Sequence, residues 1–232
     1  MKNTLRNMLL ALLLIGPLLV QSQSRPFITT WTTTTDPETV SIPLTGSLSY
    51  NFTYVWKNAA DGSEVTAGTH TNADGAFATE LPTAGSYLLE ITGSFPHFQG
   101  YPKASLIDVN QWGDIAWGSF DSSFEDWPGS EFSAEDAPDL SGVTSMFEAF
   151  RSATNFNDDL SSWDVSTIVN MRSAFRFASS FNSDISSWIV SNVTNMEAMF
   201  QGAVDFNIDI SNWNVSRVTT MHTMFAEARS FN

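Results

Sequence analysis

The residues of this chain that could do chemistry are oxygen-bearing and few in kind. Three histidines, His70, His97 and His222, lie far apart, with no H-E-x-x-H pattern and no second histidine at ligand spacing. Cysteine is absent, which excludes disulfides, thiol nucleophiles and Cys-based zinc or iron–sulfur centres. No G-x-S-x-G elbow, P-loop or G-x-G-x-x-G occurs. A glycosidase needs two carboxylates facing one bond; carboxylates are plentiful, but nothing in the sequence pairs them. The expectation is a non-enzyme with no cofactor, and an extracellular hydrolase is the most distant alternative. One acidic set is regular. Asp159, Asp184 and Asp209 recur every 25 residues, each two residues after an asparagine: Asn157, Asn182 and Asn207. Stacked carboxylate and amide oxygens would suit Ca2+ held between turns of chain. The competing reading is that Asn and Asp shape a tight turn by accepting nearby backbone amides. One carboxylate per turn falls short of the roughly 6–8 oxygens calcium takes, so no metal is assigned.

The same step governs the apolar residues. Phe156, Phe181, Phe206 and Phe231 keep it, each followed by Asn, as do Trp163, Trp188 and Trp213. So do Met146, Met171, Met196 and Met221, and Phe150, Phe175, Phe200 and Phe225. A period of roughly 20–29 with such columns predicts a leucine-rich-repeat-like solenoid, in which stacked units share a core that one unit cannot bury alone. Within a unit, Ile185-x-x-Trp188-x-Val190-x-x-Val193 has the spacing of a repeat strand. Residues 194–200 then predict a short helix: Thr194 and Glu197 stand at capping-box spacing, and Met196, Met199, Phe200 and Ala203 lie on one helical face.

Upstream, residues 27–107 alternate apolar and polar side chains in short runs broken by NAADG, NADG and PTAG. That pattern predicts a small antiparallel sandwich. At the N-terminus, Lys2 and Arg6 precede the apolar run MLLALLLIGPLLV and then QSQS, the layout of an export signal cleaved after Ser22 or Ser24. The run is shorter than the ~18 residues of a membrane span. No membrane insertion is therefore expected after cleavage. The formal charge of −15, from 25 acidic and 10 basic residues, disfavours nucleic acid, whose phosphates need clustered cations.

The stretch FNSDISSWIVSNVTNMEAMFQGAVDFN, residues 181–207, resembles the 25-residue repeat of the BspA-type leucine-rich-repeat surface proteins of bacteria. The pattern F-N-x-D-[IL]-S-x-W-x-V-S-x-V-x-x-M…F carries the resemblance over about 139–232. The block QWGDIAW, residues 111–117, looks like the lead-in to such repeats, and 119–150 like degenerate capping copies. Residues 26–95, through PFITTW and TAGSYLLEITGSFP, are similar to the PKD-like, immunoglobulin-type module of related proteins. A departure stands at VWKNAADG, residues 55–62, where such modules carry an acidic W-x-D-G-D-G-like turn. The expected organisation is a signal over 1–24, a PKD-like β-sandwich over 25–107 and a capping segment over 108–138. An α/β solenoid of parallel strands and short helices would follow over 139–232, incomplete at its end. The overall class is thus mixed α and β. The resemblance implies adhesion outside the cell and supplies no catalytic residues.

Binding needs exposed, variable slots on a fixed frame, and the outward strand positions offer them. Successive units place Ser162, Asp164 and Thr167, then Ser187, Ile189 and Asn192, then Asn212, Asn214 and Arg217 there. These nine residues are the candidate contacts for an extracellular protein or glycan. Further repeats of the same chain are another possible partner, and a passive spacer within a larger surface protein is the alternative function. His222 shares its column with Phe147, Arg172 and Glu197, so it reads as an ordinary surface residue.

Overall fold

The structure is a computed structural model that describes residues 24–45, 47–71, 75–99 and 105–232. The export segment and the Asn72–Asp74 turn lie outside the described residues.

Seven strands form in the N-terminal part: β1 Phe27–Thr33, β2 Glu38–Leu44, β3 Asn51–Asn58, β4 Glu64–Thr71, β5 Gly75–Leu81, β6 Gly85–Ser94 and β7 Leu106–Gln111. A five-stranded sheet runs β4-β3-β6-β1-β7 and a two-stranded sheet pairs β2 with β5. Every named pairing is antiparallel. Alternation sets the inner faces. Phe27, Thr29, Trp31 and Thr33 of β1 are buried, as are Tyr87, Leu89 and Ile91 of β6 and Val40, Ile42 and Leu44 of β2. The two sheets meet through rings, with Phe52 of β3 edge-on to Phe77 of β5 at 5.4 Å. The larger sheet runs to Gln111, so the segment assigned to capping begins as its edge strand.

From about residue 117 the chain winds into stacked coils. Among the described residues there is no helix, and strand-like pairing between coils is confined to isolated parallel bridges, one joining Ala116 to Asp139 and a ladder joining Ser145, Asn170, Asn195 and Thr220. The mixed α/β expectation, with its short helices and solenoid strands, is overturned. The described protein is all-β, and its only sheets are the antiparallel ones above.

The backbone explains the missing helix. Ala198 has φ 55° and Gly202 φ 70°, and the same two slots are left-handed in the other coils, at Glu148 and Ser152, Ser173 and Phe177, and Thr223 and Glu227. A left-handed residue every fourth position cannot belong to a right-handed helix. The amides of Met199, Gln201 and Ala203 instead close local turns onto Met196, Ala198 and Phe200 carbonyls. Those of Met196, Ala198, Phe200 and Gly202 donate across to Thr220, His222, Met224 and Ala226 of the next coil, at 2.8–3.0 Å. Alternate amides thus serve the turn and the neighbour. The capping box also dissolves: the Thr194 hydroxyl donates to the Val169 carbonyl of the preceding coil, and the Glu197 amide donates to Asn195 Oδ1.

The expected strand over 185–193 is a pair of turns. Trp188 N donates to Ile185 O at 3.1 Å and Val193 N to Val190 O at 2.9 Å. Apolar residues at i and i+3 of a turn have the same spacing as the repeat strand, and Asp184 decides for the turn. Its Oδ1 captures the Ser186 amide at 3.0 Å, which folds the chain back just before Trp188.

Stacking fills the interior. Phe150, Phe175, Phe200 and Phe225 form one column at 5.2, 5.8 and 5.9 Å, with successive rings within 13° of parallel. Phe156, Phe181, Phe206 and Phe231 form a second, at 6.1, 6.1 and 5.7 Å. The tryptophans keep file: Trp188 Nε1 donates to Leu160 O and Trp213 Nε1 to Ile185 O, one coil apart. Burying each such ring stabilises the fold by roughly 2–3 kcal/mol before ordering costs. The first coil has the same build at a step of one residue more. Its left-handed residues are Ser122 and Asp126, and the amides of Ser122, Phe124 and Asp126 donate to Phe147, Ala149 and Arg151 carbonyls. Trp112 joins sandwich to coils, lying 5.8 Å from Phe27 and 5.4 Å from Trp163.

Candidate functional site

The nine candidate residues fall on three columns along one side of the stack. Trp163, Trp188 and Trp213 are buried between them, and the slots on either side of each ring face outward. Eight of the nine are exposed, and Thr167 is half-buried. The structure therefore brings the set together as a surface grid, but its columns differ in what the side chains are free to do.

The column of Thr167, Asn192 and Arg217 is engaged between coils. Thr167 Oγ1 donates to Val143 O at 2.8 Å, Asn192 Nδ2 to Ser166 O at 2.7 Å, and Arg217 Nη1 to Asn192 Oδ1 at 2.9 Å. These side chains bridge one coil to the one before it. In the next column, Asp164 Oδ1 accepts the Ser166 amide and Asn214 Oδ1 the Ser216 amide, so both close turns. Ile189, between them, has no turn to close and is 61% exposed. Ser162, Ser187 and Asn212 make up the third column, where Ser187 Oγ lies 3.4 Å from Ser161 O. Ile189 with the flanking Ser187 and Asn212 is the part of the grid least occupied by the fold itself.

The acidic ladder resolves into turns. Asp139, Asp159, Asp184 and Asp209 each accept the amide two residues on, from Ser141, Ser161, Ser186 and Ser211, at 2.9–3.0 Å. Hydrogen bonds from those serines hold all four carboxyls below the usual range. The asparagines do something the sequence did not disclose. Asn157 Oδ1 accepts the Asn182 amide at 2.8 Å, Asn182 Oδ1 the Asn207 amide at 2.8 Å, and Asn207 Oδ1 the Asn232 amide at 3.2 Å. Each Phe-Asn pair therefore couples a ring stack to an amide ladder. Among the described residues no group of three or more His, Asp or Glu could hold a metal ion.

Of the histidines, His222 is exposed, and His70 packs 5.2 Å from Phe52. His97 is the one that sequence reasoning passed over. It is 3% exposed at the seam between sandwich and coils, with Nδ1 2.6 Å from Thr45 Oγ1 and Nε2 2.8 Å from the Asp121 carbonyl. Burial pushes its imidazole below its ordinary pKa. A lone histidine in SFPHFQG gives no hint of this, because both partners come from elsewhere in the chain.

Comparison with known proteins bears on the coils alone. Residues 119–232 are similar to the family described as Mycoplasma protein of unknown function, DUF285. The match spans the coil stack from its first aromatic turn to Asn232 and leaves the strands outside it. No curated protein and no solved structure matches the chain. The family's description assigns no activity, so the site rests on its geometry.

Proposed function

We propose that this is a secreted or surface-displayed, non-enzymatic binding protein whose coil stack presents the grid around Ile189 to an extracellular protein or glycan. The single observation that carries the reading is Ile189, a large apolar side chain 61% exposed on an otherwise polar, regularly spaced face. An isolated exposed apolar residue is ordinary; here its neighbours above and below, Asp164 and Asn214, close turns in the very slot that Ile189 leaves free. Rigid backbone with variable side chains is what repeat surfaces use for recognition. The export-like N-terminus and the resemblance to BspA-type surface proteins support placing this face outside the cell. The acidic balance favours neutral or basic partners.

The test is retention on an array of extracellular-matrix proteins and glycans. Ile189→Asp combined with Asn212→Lys is expected to lower retention at least about tenfold with an unchanged melting temperature, as loss of a central contact does. Undiminished retention of the variant would remove the grid as the binding surface. A wild-type chain retained nowhere on the array would favour the spacer.

A further inference from the structure

The seam between sandwich and coils holds a cleft of about 350 Å3, away from the grid around Ile189. One wall is the chain leaving β2, with Thr45 and Leu48; the other is the first coil, with Asp121; Gln99 and Phe147 close the sides, and three serines add hydroxyls. We infer that this cleft is a binding site for a neutral sugar ring.

Three observations carry the inference. The first is that the walls are fixed before any ligand arrives. His97 is buried among them and spans them, one ring nitrogen on the Thr45 hydroxyl and the other on the Asp121 carbonyl. Asp121 Oδ1 in turn accepts the Phe147 amide at 2.9 Å, which ties the second coil to the first at the cleft. Preorganisation of this kind removes an ordering cost from binding.

The second is Phe147 itself. Its column continues as Arg172, Glu197 and His222, polar residues in an outward slot. Only in the coil beside the cleft is the slot aromatic, and there the ring is half-buried, with the Arg172 guanidinium 5.6 Å from its centroid. Stacking alone does not call for a ring at this position, since three coils stack without one.

The third is the lining chemistry. Hydroxyls, one amide and one carboxylate around an aromatic and a leucine make a site with both donors and acceptors beside an apolar platform. A sugar ring offers the complement, with hydroxyls at its edge and C–H groups on its face. Asp121 is the one acidic group of the lining, the nearby Arg172 guanidinium is turned to the Phe147 ring, and the chain carries −15 overall, a balance that favours a neutral ligand over an anion. The volume sits at the lower end for ligand pockets, and a junction between folded units is a common place for one.

The test is saturation-transfer NMR on the whole chain with glucose, galactose, mannose and N-acetylglucosamine at millimolar concentration, glucuronate serving as the anionic control. At least one neutral sugar should receive saturation and glucuronate none. Phe147→Glu places in this slot the residue type that Glu197 occupies two coils on; with an unchanged melting temperature as the control for folding, it should weaken binding at least about tenfold. Ile189→Asp should leave sugar binding unchanged, which separates this site from the grid. Silence from all four sugars, equal saturation of glucuronate, or wild-type binding by Phe147→Glu would each overturn the inference.

Discussion

Asn182 and Asp184 stand two residues apart and use the same kind of oxygen for opposite purposes. Asn182 reaches out, accepting an amide from the next coil, whereas Asp184 turns inward and closes its own turn. Both residue types were legible as turn formers; the ladder was not, because its donor lies 25 residues on. The turn aspartates make the fold acid-sensitive with a definite sign. Their folded pKa values are depressed, so the unfolded chain binds more protons, and stability held above about pH 4 is lost as pH falls through the folded values. His97 acts in a higher window with the same sign. Burial lowers its folded pKa, so the stability linked to the neutral ring is complete above about pH 6.5 and declines below it. Asp158 runs the other way, since burial raises its carboxyl. Denaturant unfolding at a series of pH values should therefore show decline beginning near pH 6.5 and steepening below pH 4. Asp184→Asn, which keeps an acceptor for the Ser186 amide as Asn214 does for Ser216, should flatten the lower part and leave the upper part intact. An unchanged lower slope would mean these turns do not carry the acid response.

The element that matters most is the left-handed turn run of each coil, which occupies the place where a helix was expected. The columns of Phe, Trp and Met and their step of 25 could be read directly from the sequence, and the phenylalanine rings do stack. The backbone state could not. Apolar residues at i, i+3, i+4 and i+7 suit a helical face and equally suit a chain of turns that starts afresh every second residue, with a left-handed position every fourth. The left-handed slots hold Glu148, Ser173, Ala198 and Thr223, then Ser152, Phe177, Gly202 and Glu227, and only Gly202 betrays the positive φ. There a side chain would also meet the Phe177 ring at 2.4 Å. Ser152→Gly distinguishes the two geometries. Ser152 is half-buried with φ 57°, and its amide donates to Arg176 O, a bond that glycine keeps. In a helix the change costs roughly 0.5 kcal/mol. In the left-handed slot relief of strain offsets the added freedom of the unfolded chain, so urea unfolding should show between no change and a gain of about 1 kcal/mol. A clear loss would place Ser152 in right-handed helix.

At the scale of the whole molecule, one apolar core runs from the sandwich through the junction tryptophans into the phenylalanine columns. The strands of the sandwich follow from alternation, and Trp112 and Trp117 mark in the sequence where the coils begin. Their joint packing against Phe27 needed the fold to bring distant segments together. What holds the coils to one another is the row of alternate amides. Met171, Ser173, Phe175 and Phe177 donate to carbonyls of the following coil, and Met196, Ala198, Phe200 and Gly202 do the same one coil on. Amide hydrogen exchange followed residue by residue is the most direct test. The Met171 and Met196 amides, bonded to the Asn195 and Thr220 carbonyls, should exchange slowly. In a helix starting at Thr194 the Met196 amide would lie in the first turn, where no carbonyl of the helix reaches it, and Met171 would stand in the same place one repeat earlier. Fast exchange at both, with protection beginning only beyond them, would contradict the coil architecture on which the binding face depends.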